Sequence, residues 1–210
     1  MELSEQQKDG LSELINIAFS RTAASLSELT GRRVLLDVPN VAIYPVGELA
    51  STLSKFLPAE VATVHQVFTG QVAGDALLLL NYDGAITLTD LLTDEQIRSE
   101  RLNVSAREVL TEVGNILLNA CLGVFGNLLK VHVTFSVPRL HLETLDALLR
   151  SLVVASESLR YALVVYTAFH MRDSAVKGYL VIALNVSSLD RLIQEAEQWE
   201  ERQGHNEYVK

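Results

Sequence analysis

The spacing of apolar residues along the chain predicts two long helices in separate parts of the sequence. Leucine, isoleucine and alanine recur every three or four residues, first over residues 4–30 and again over residues 103–129. Ser4 is a candidate cap for the first helix, because Gln7 follows at the spacing of a capping box. Gly31 is a natural end for the same helix.

Stretches rich in β-branched residues between the helices predict the strands of a sheet. The strand segments are two short pieces within 33–46, followed by 62–69, 74–81, 131–138, 161–170 and 178–185. Shorter helices are predicted over 48–57, 86–92 and 143–152, with a last helix from Ser187 or Ser188 to about residue 201. Gly70 and residues 171–177 connect neighbouring strands by short turns, which is typical of antiparallel hairpins.

Motif residues recur at a fixed distance along the chain, which indicates an internal duplication. At an offset of 99 residues, Glu13, Asn16, Ile17 and Pro39 recur as Glu112, Asn115, Ile116 and Pro138. We therefore predict one domain over residues 1–210, with repeats at 4–97 and 103–201 and a polar tail at 202–210. The predicted fold is α+β: an internally duplicated, pseudo-two-fold body with a mostly antiparallel central sheet.

Each long helix carries one row of polar residues. The first row is Asp9, Glu13, Asn16 and Ser20, and the second row is Glu108, Glu112 and Asn115. Residues spaced i, i+4 and i+7 fall within about one-sixth of a turn on a helical wheel. Polar outer faces are common on helices, so an ordinary solvated surface is one interpretation. Asparagine is a weak helix former, and its recurrence one turn after a glutamate favours a functional surface instead.

Composition and charge argue against several classes of function. The chain has 17 basic and 26 acidic residues and a net charge of −9, which disfavours non-specific binding to nucleic acid. No apolar run approaches the roughly 20 residues that span a bilayer, and the N-terminus lacks the features of a signal peptide. We therefore expect a cytoplasmic protein without membrane insertion. Because Cys121 is the only cysteine and no histidine pair has metal-binding spacing, we expect no cofactor or metal of its own.

The two rows resemble the motif of the CheC-type phosphatases of bacterial and archaeal chemotaxis, a family that includes CheX and the CheC-like part of FliY. The family motif is D/S-x3-E-x2-N-x22-P. The first half of the chain matches it at Asp9, Glu13, Asn16 and Pro39. The second half departs from it only by Glu108 in place of Asp or Ser. The resemblance covers residues 5–200 and implies an antiparallel sheet with the two long helices on its outside.

The resemblance also implies an activity, the hydrolysis of the aspartyl phosphate on a CheY-type response regulator that carries its own lysine and Mg²⁺. The regulator's own site then lacks only a water in position to attack the phosphorus. A carboxamide can orient that water, because it both donates and accepts hydrogen bonds. We therefore assign this role to Asn16 and Asn115, and contact with the regulator's lysine to Glu13 and Glu112. Three further residues are expected partner contacts: Asp9, Ser20 and Glu108.

Two other functions fit the same surfaces. In one interpretation the chain is a non-catalytic adaptor that binds the phosphorylated regulator, the deamidase CheD or both. A flagellar switch component like FliY would need a further C-terminal domain, for which residues 187–210 are too few. Of the two sites, we expect the second to be faster, because Gly114 keeps the small-residue character of the family whereas Phe19 adds bulk to the first helix.

Overall fold

The computed structural model describes residues 4–31, 33–58, 60–93, 102–130, 132–155, 160–171 and 174–207. The first half contains α1 (Glu5–Thr30), β1 (Val34–Leu36), β2 (Asn40–Pro45), α2 (Leu49–Leu53), β3 (Glu60–Gly70), β4 (Gly74–Asn81) and α3 (Tyr82–Thr93), with a 3₁₀ turn at Val46–Glu48. The second half contains α4 (Val104–Leu129), β5 (Val133–Phe135), β6 (Arg139–Thr144), α5 (Leu145–Ala155), β7 (Tyr161–Met171), β8 (Ser174–Leu184) and α6 (Val186–Glu207). The order of helices and strands is thus the same in both halves.

One antiparallel sheet of eight strands joins the two halves. Its order is β1-β7-β8-β4-β3-β5, with β2 also paired to β7 and β6 also paired to β3. At the centre, β4 and β8 pair Gly74 with Leu184 and Leu80 with Gly178. The short strands of each half pair with the long hairpin of the other half, so neither half completes the sheet alone. The predicted α+β class and both antiparallel hairpins are confirmed, and the duplication stays a prediction.

Alternate residues of the strands face two different layers of helices. Leu78 and Leu80 in β4 face a core that α1, α3, α4 and α6 cover. Leu77 and Leu79 face a smaller core under α2 and α5 on the opposite side of the sheet. The two long helices therefore lie on the outside of the sheet, as expected. Among the described residues, none of the helices combines the length and the apolar character that crossing a membrane requires.

The structure corrects the prediction around the last two helices. Residues 139–144 form a strand, because they pair with β3 along their whole length, and α5 therefore begins only at Leu145. The last helix begins at Val186 rather than at a serine. Its first turn is capped by Asn185, whose side-chain oxygen accepts a hydrogen bond of 2.8 Å from the Ser188 backbone N–H.

Three further segments differ in length from the sequence prediction. The α6 helix continues to Glu207, so residues 202–207 extend a helix that the sequence predicts to end at about residue 201. The short helix predicted over 48–57 is limited to the five residues of α2. The strand predicted over 131–138 is reduced to β5, which pairs with β3 only through three residues. The polar stretch between the repeats falls mostly on residues 94–101, which lie outside the described residues.

Candidate functional site

Capping residues define both ends of α1, and its buried face determines which way the first row points. The Ser4 hydroxyl accepts a hydrogen bond from the Gln7 backbone N–H (3.1 Å), and the Gln7 side chain accepts one from the Ser4 backbone N–H (2.9 Å). This is the capping box that the sequence predicts. The helix ends at Gly31, whose φ of 63° is left-handed and suits a residue without a Cβ. Leu11 and Ile15 are fully buried, so the polar row faces away from the core.

The first row lies on the solvent side of α1. Asp9, Glu13 and Ser20 are exposed, and Asn16 is half-buried. The Ser20 hydroxyl donates to the backbone carbonyl of Asn16 at 2.9 Å, which leaves the carboxamide of Asn16 out of this contact. Among the described residues, no side chain forms a hydrogen bond with that carboxamide. A carboxylate and a free carboxamide therefore lie one turn apart on an accessible surface.

The second row repeats this arrangement on α4. Asn103 caps the helix, because its side-chain oxygen accepts a hydrogen bond from the Ala106 backbone N–H at 2.8 Å. Glu108 and Glu112 are exposed, and Asn115 is half-buried. The row faces solvent, because Leu110, Val113 and Leu117 on the other side of the helix are buried.

Asn119 belongs to the second row, and the sequence analysis missed it. Its side-chain Nδ2 donates to the Oδ1 of Asn115 at 2.8 Å. The signal for it is present in the sequence, since Asn119 follows Asn115 at the same spacing of four that separates Ser20 from Asn16. The same spacing places Ser20 in the first row, so it also predicts that Asn119 lies in the second row.

The residue before each asparagine packs differently in the two helices. Gly114 faces Val64 of β3 so closely that a Cβ at this position would lie 2.5 Å from Val64 Cγ1. The equivalent residue of the first helix is Ile15, which is fully buried in the core. Asn115 therefore follows a residue whose backbone lies directly against the sheet, whereas Asn16 follows a residue whose side chain is packed into the core.

Phe19 does not reach the first row. It is 1% exposed and belongs to the core between the helices and the sheet. The bulk of Phe19 is therefore accommodated in the packing of the core. Pro39 is buried and Pro138 is half-buried, and each directly precedes a short strand, which fits a structural role.

The structure offers little support for other chemistry near the rows. Burial raises the pKa of the Cys121 thiol on α4, so the thiol stays protonated and is a poor nucleophile. Within the part of the chain that the structure describes, no three histidine, cysteine or carboxylate side chains are placed to hold a metal ion. The two rows are thus the places where an incoming partner would meet paired carboxylate and carboxamide groups.

Comparison with known proteins gives relatives over nearly the whole chain. No family model matches it. The chain is 23% identical over 196 residues to the CheY-P phosphatase CheC of Bacillus subtilis strain 168, covering 90% of this chain and 93% of that protein. It is 29% identical over 91 residues to the flagellar motor switch phosphatase FliY of the same organism, covering 43% of this chain and 23% of FliY. The crystal structure of Thermotoga maritima FliY has a TM-score of 0.75 and 20% identity, covering 94% of this chain and 99% of that one.

Proposed function

We propose that this chain hydrolyses the aspartyl phosphate of a CheY-type response regulator, because it is similar over 90% of its length to the CheY-P phosphatase CheC. The observation that carries the proposal is the repeated row: each long helix presents an exposed glutamate and a half-buried asparagine one turn apart. These are groups that can meet another protein's active site, since they lie on an outer surface rather than inside a closed pocket.

The proposed reaction needs few groups from this chain. A water oxygen attacks the phosphorus, the bond between phosphorus and the aspartyl oxygen breaks, and the products are a carboxylate and inorganic phosphate. In the regulator's own site, its Mg²⁺ and lysine neutralise the charge that develops on the phosphoryl oxygens. What remains is to hold the water in line with the leaving oxygen. Asn16 and Asn115 fill this role, because the carboxamide oxygen accepts a hydrogen bond from the water while its N–H₂ group donates a second hydrogen bond.

The glutamates have a different role in the proposal. Glu13 and Glu112 bind the regulator's lysine by a charge-assisted hydrogen bond, which aligns each helix on its partner. Asp9, Ser20 and Glu108 extend the rows and contact the partner at the rim, where exposed charges contribute mainly to the association rate. No nucleophile of this chain takes part, so no covalent intermediate forms on it.

Phosphate lifetime on a CheY-type regulator tests the activity. The regulator is phosphorylated with a small-molecule phosphodonor in Mg²⁺, the donor is removed, and phosphate release is followed with and without the chain. We expect release to become faster and to saturate with regulator concentration. Binding of the phosphorylated regulator without faster release would contradict the proposal and favour the adaptor, and CheD binding is then the next measurement.

The docking role of the glutamates has its own test. Glu13→Gln together with Glu112→Gln removes both charges while keeping the side-chain shape, so KM is expected to increase about tenfold with little change in kcat. Glu60→Gln is the matched control, because Glu60 is an exposed glutamate on β3 that belongs to neither row. An unchanged KM in the double variant would contradict the docking role.

A further inference from the structure

We propose that Asn119 is a positioning residue for Asn115 and that it makes the second site the faster of the two. This inference rests on the proposed function, since it concerns how the second site holds the attacking water. It is carried by one contact, the 2.8 Å hydrogen bond from Asn119 Nδ2 to Asn115 Oδ1.

The contact fixes which way the Asn115 carboxamide faces. Its Oδ1 is turned along the helix toward Asn119, and among the described residues no acceptor is bonded to its Nδ2 hydrogens. One lone pair of Oδ1 remains for a water proton, because a carbonyl oxygen accepts two hydrogen bonds. Asn115 therefore presents a donor and an acceptor in one defined orientation before any partner arrives.

Among the residues that the structure describes, the Asn16 carboxamide on the first helix has no equivalent contact. Ser20 occupies the same place relative to Asn16, but its hydroxyl donates to the Asn16 backbone carbonyl at 2.9 Å. A serine side chain is too short to reach the carboxamide as well. The Asn16 side chain must therefore be ordered during the reaction, and a group that is oriented beforehand avoids this loss of entropy.

Asn119 stabilises the fold less than an apolar side chain of similar size would. Its Oδ1 is buried and accepts no hydrogen bond from the described residues. A buried acceptor without a donor is destabilising, whereas an apolar side chain of similar size would fill the same space without that penalty. An ordinary surface pair at this spacing stabilises a helix only slightly. The positioning role thus explains a residue that packing does not.

Kinetics in a background with one working site test the inference. In the Asn16→Ala background only the second site works, and there Asn119→Leu is expected to lower kcat about three- to tenfold with KM unchanged. The melting temperature of Asn119→Leu is expected to stay the same or increase, whereas a merely structural role would decrease it. Asn119→Ser, which copies the first helix, should lower kcat similarly.

The reverse change gives an independent prediction. In the Asn115→Ala background only the first site works, and Ser20→Asn is expected to increase its kcat. Asn127→Ala is the matched control, because Asn127 is an exposed asparagine on α4 outside the row. An unchanged kcat in both Asn119 variants would overturn the inference, as would a rise in KM accompanied by a lower melting temperature.

A structural readout separates this inference from the proposed function. The ¹⁵N order parameter of the Asn115 side-chain amide should exceed that of Asn16 in the wild-type chain and should fall in Asn119→Leu. Equal order parameters would overturn the positioning role whatever the activity. Full phosphatase activity in the Asn16→Ala/Asn115→Ala variant would instead overturn the water-positioning role of the two asparagines in the proposed function, and with it the claim about the faster site.

Discussion

The helices α1 and α4 carry the same polar row but contact the rest of the fold differently. The α4 helix packs on β3, β4, β5 and β6 as well as on α3 and α6, and its Gly114 backbone lies against Val64. The α1 helix packs on β1, β2 and α6, and its residue equivalent to Gly114 is Ile15, whose side chain is buried in the core. The two helices also pack against each other. A repeated surface motif therefore does not imply two equal sites, because the residues beneath and beside each asparagine differ.

Phe19 on α1 gives the largest expected effect on stability. Phe19→Ala should lower the free energy of unfolding by about 3–5 kcal/mol, because it leaves a cavity in the core of the helical layer. Its counterpart on α4, Leu118, is also fully buried, and Leu118→Ala should cost about 2–5 kcal/mol. Urea denaturation measures both. Arg21→Ala, an exposed change on α1, serves as the control, and a loss below about 1 kcal/mol for Phe19→Ala would contradict its place in the core.

Two glycines of α4 should respond to the same substitution with opposite signs. Gly114→Ala places a Cβ against the stiff, β-branched Val64, so it should destabilise the protein by about 1–3 kcal/mol. Gly123→Ala meets no atom within 4 Å and should stabilise the helix by about 0.5–1 kcal/mol. Thermal and urea unfolding of the two variants compare them directly. A stabilising Gly114→Ala would mean that α4 lies farther from β3 than the structure has it.

Removal of the N-terminal caps should give the smallest loss of stability, and the loss should be similar for the two helices. Ser4→Ala and Asn103→Ala each remove the acceptor for one backbone N–H of the first turn. Each variant should lose about 1 kcal/mol of stability, measured by urea denaturation. A large difference between them would show that one helix begins differently from the other.

Local patterns predicted the parts of the fold that depend on neighbouring residues. The capping box of Ser4, the end of α1 at Gly31 and both long hairpins follow from short-range spacing, and each is confirmed. The strand β6 was missed because its identity depends on pairing with β3, which lies far away in the sequence. The contact of Gly114 with Val64 is also long-range, so no helical pattern predicts it.

The candidate site shows the same division between local and long-range information. Helical spacing predicted which residues share each row, and the structure places them on accessible faces. The burial of Phe19 and the bond between Asn119 and Asn115 required side-chain positions, since spacing gives neighbours but not rotamers. The difference between the two rows was therefore harder to predict than the rows themselves.

The central claim is that an asparagine on each long helix positions the water that attacks the phosphorus. The most direct test is the rate of phosphate release from a phosphorylated CheY-type regulator by Asn16→Ala, Asn115→Ala and the double variant. We expect each single variant to keep part of the activity, with the greater loss in Asn115→Ala, and the double variant to lose at least about a hundredfold while it still binds the regulator. A rate of phosphate release by the double variant equal to that of the wild-type chain would contradict the claim.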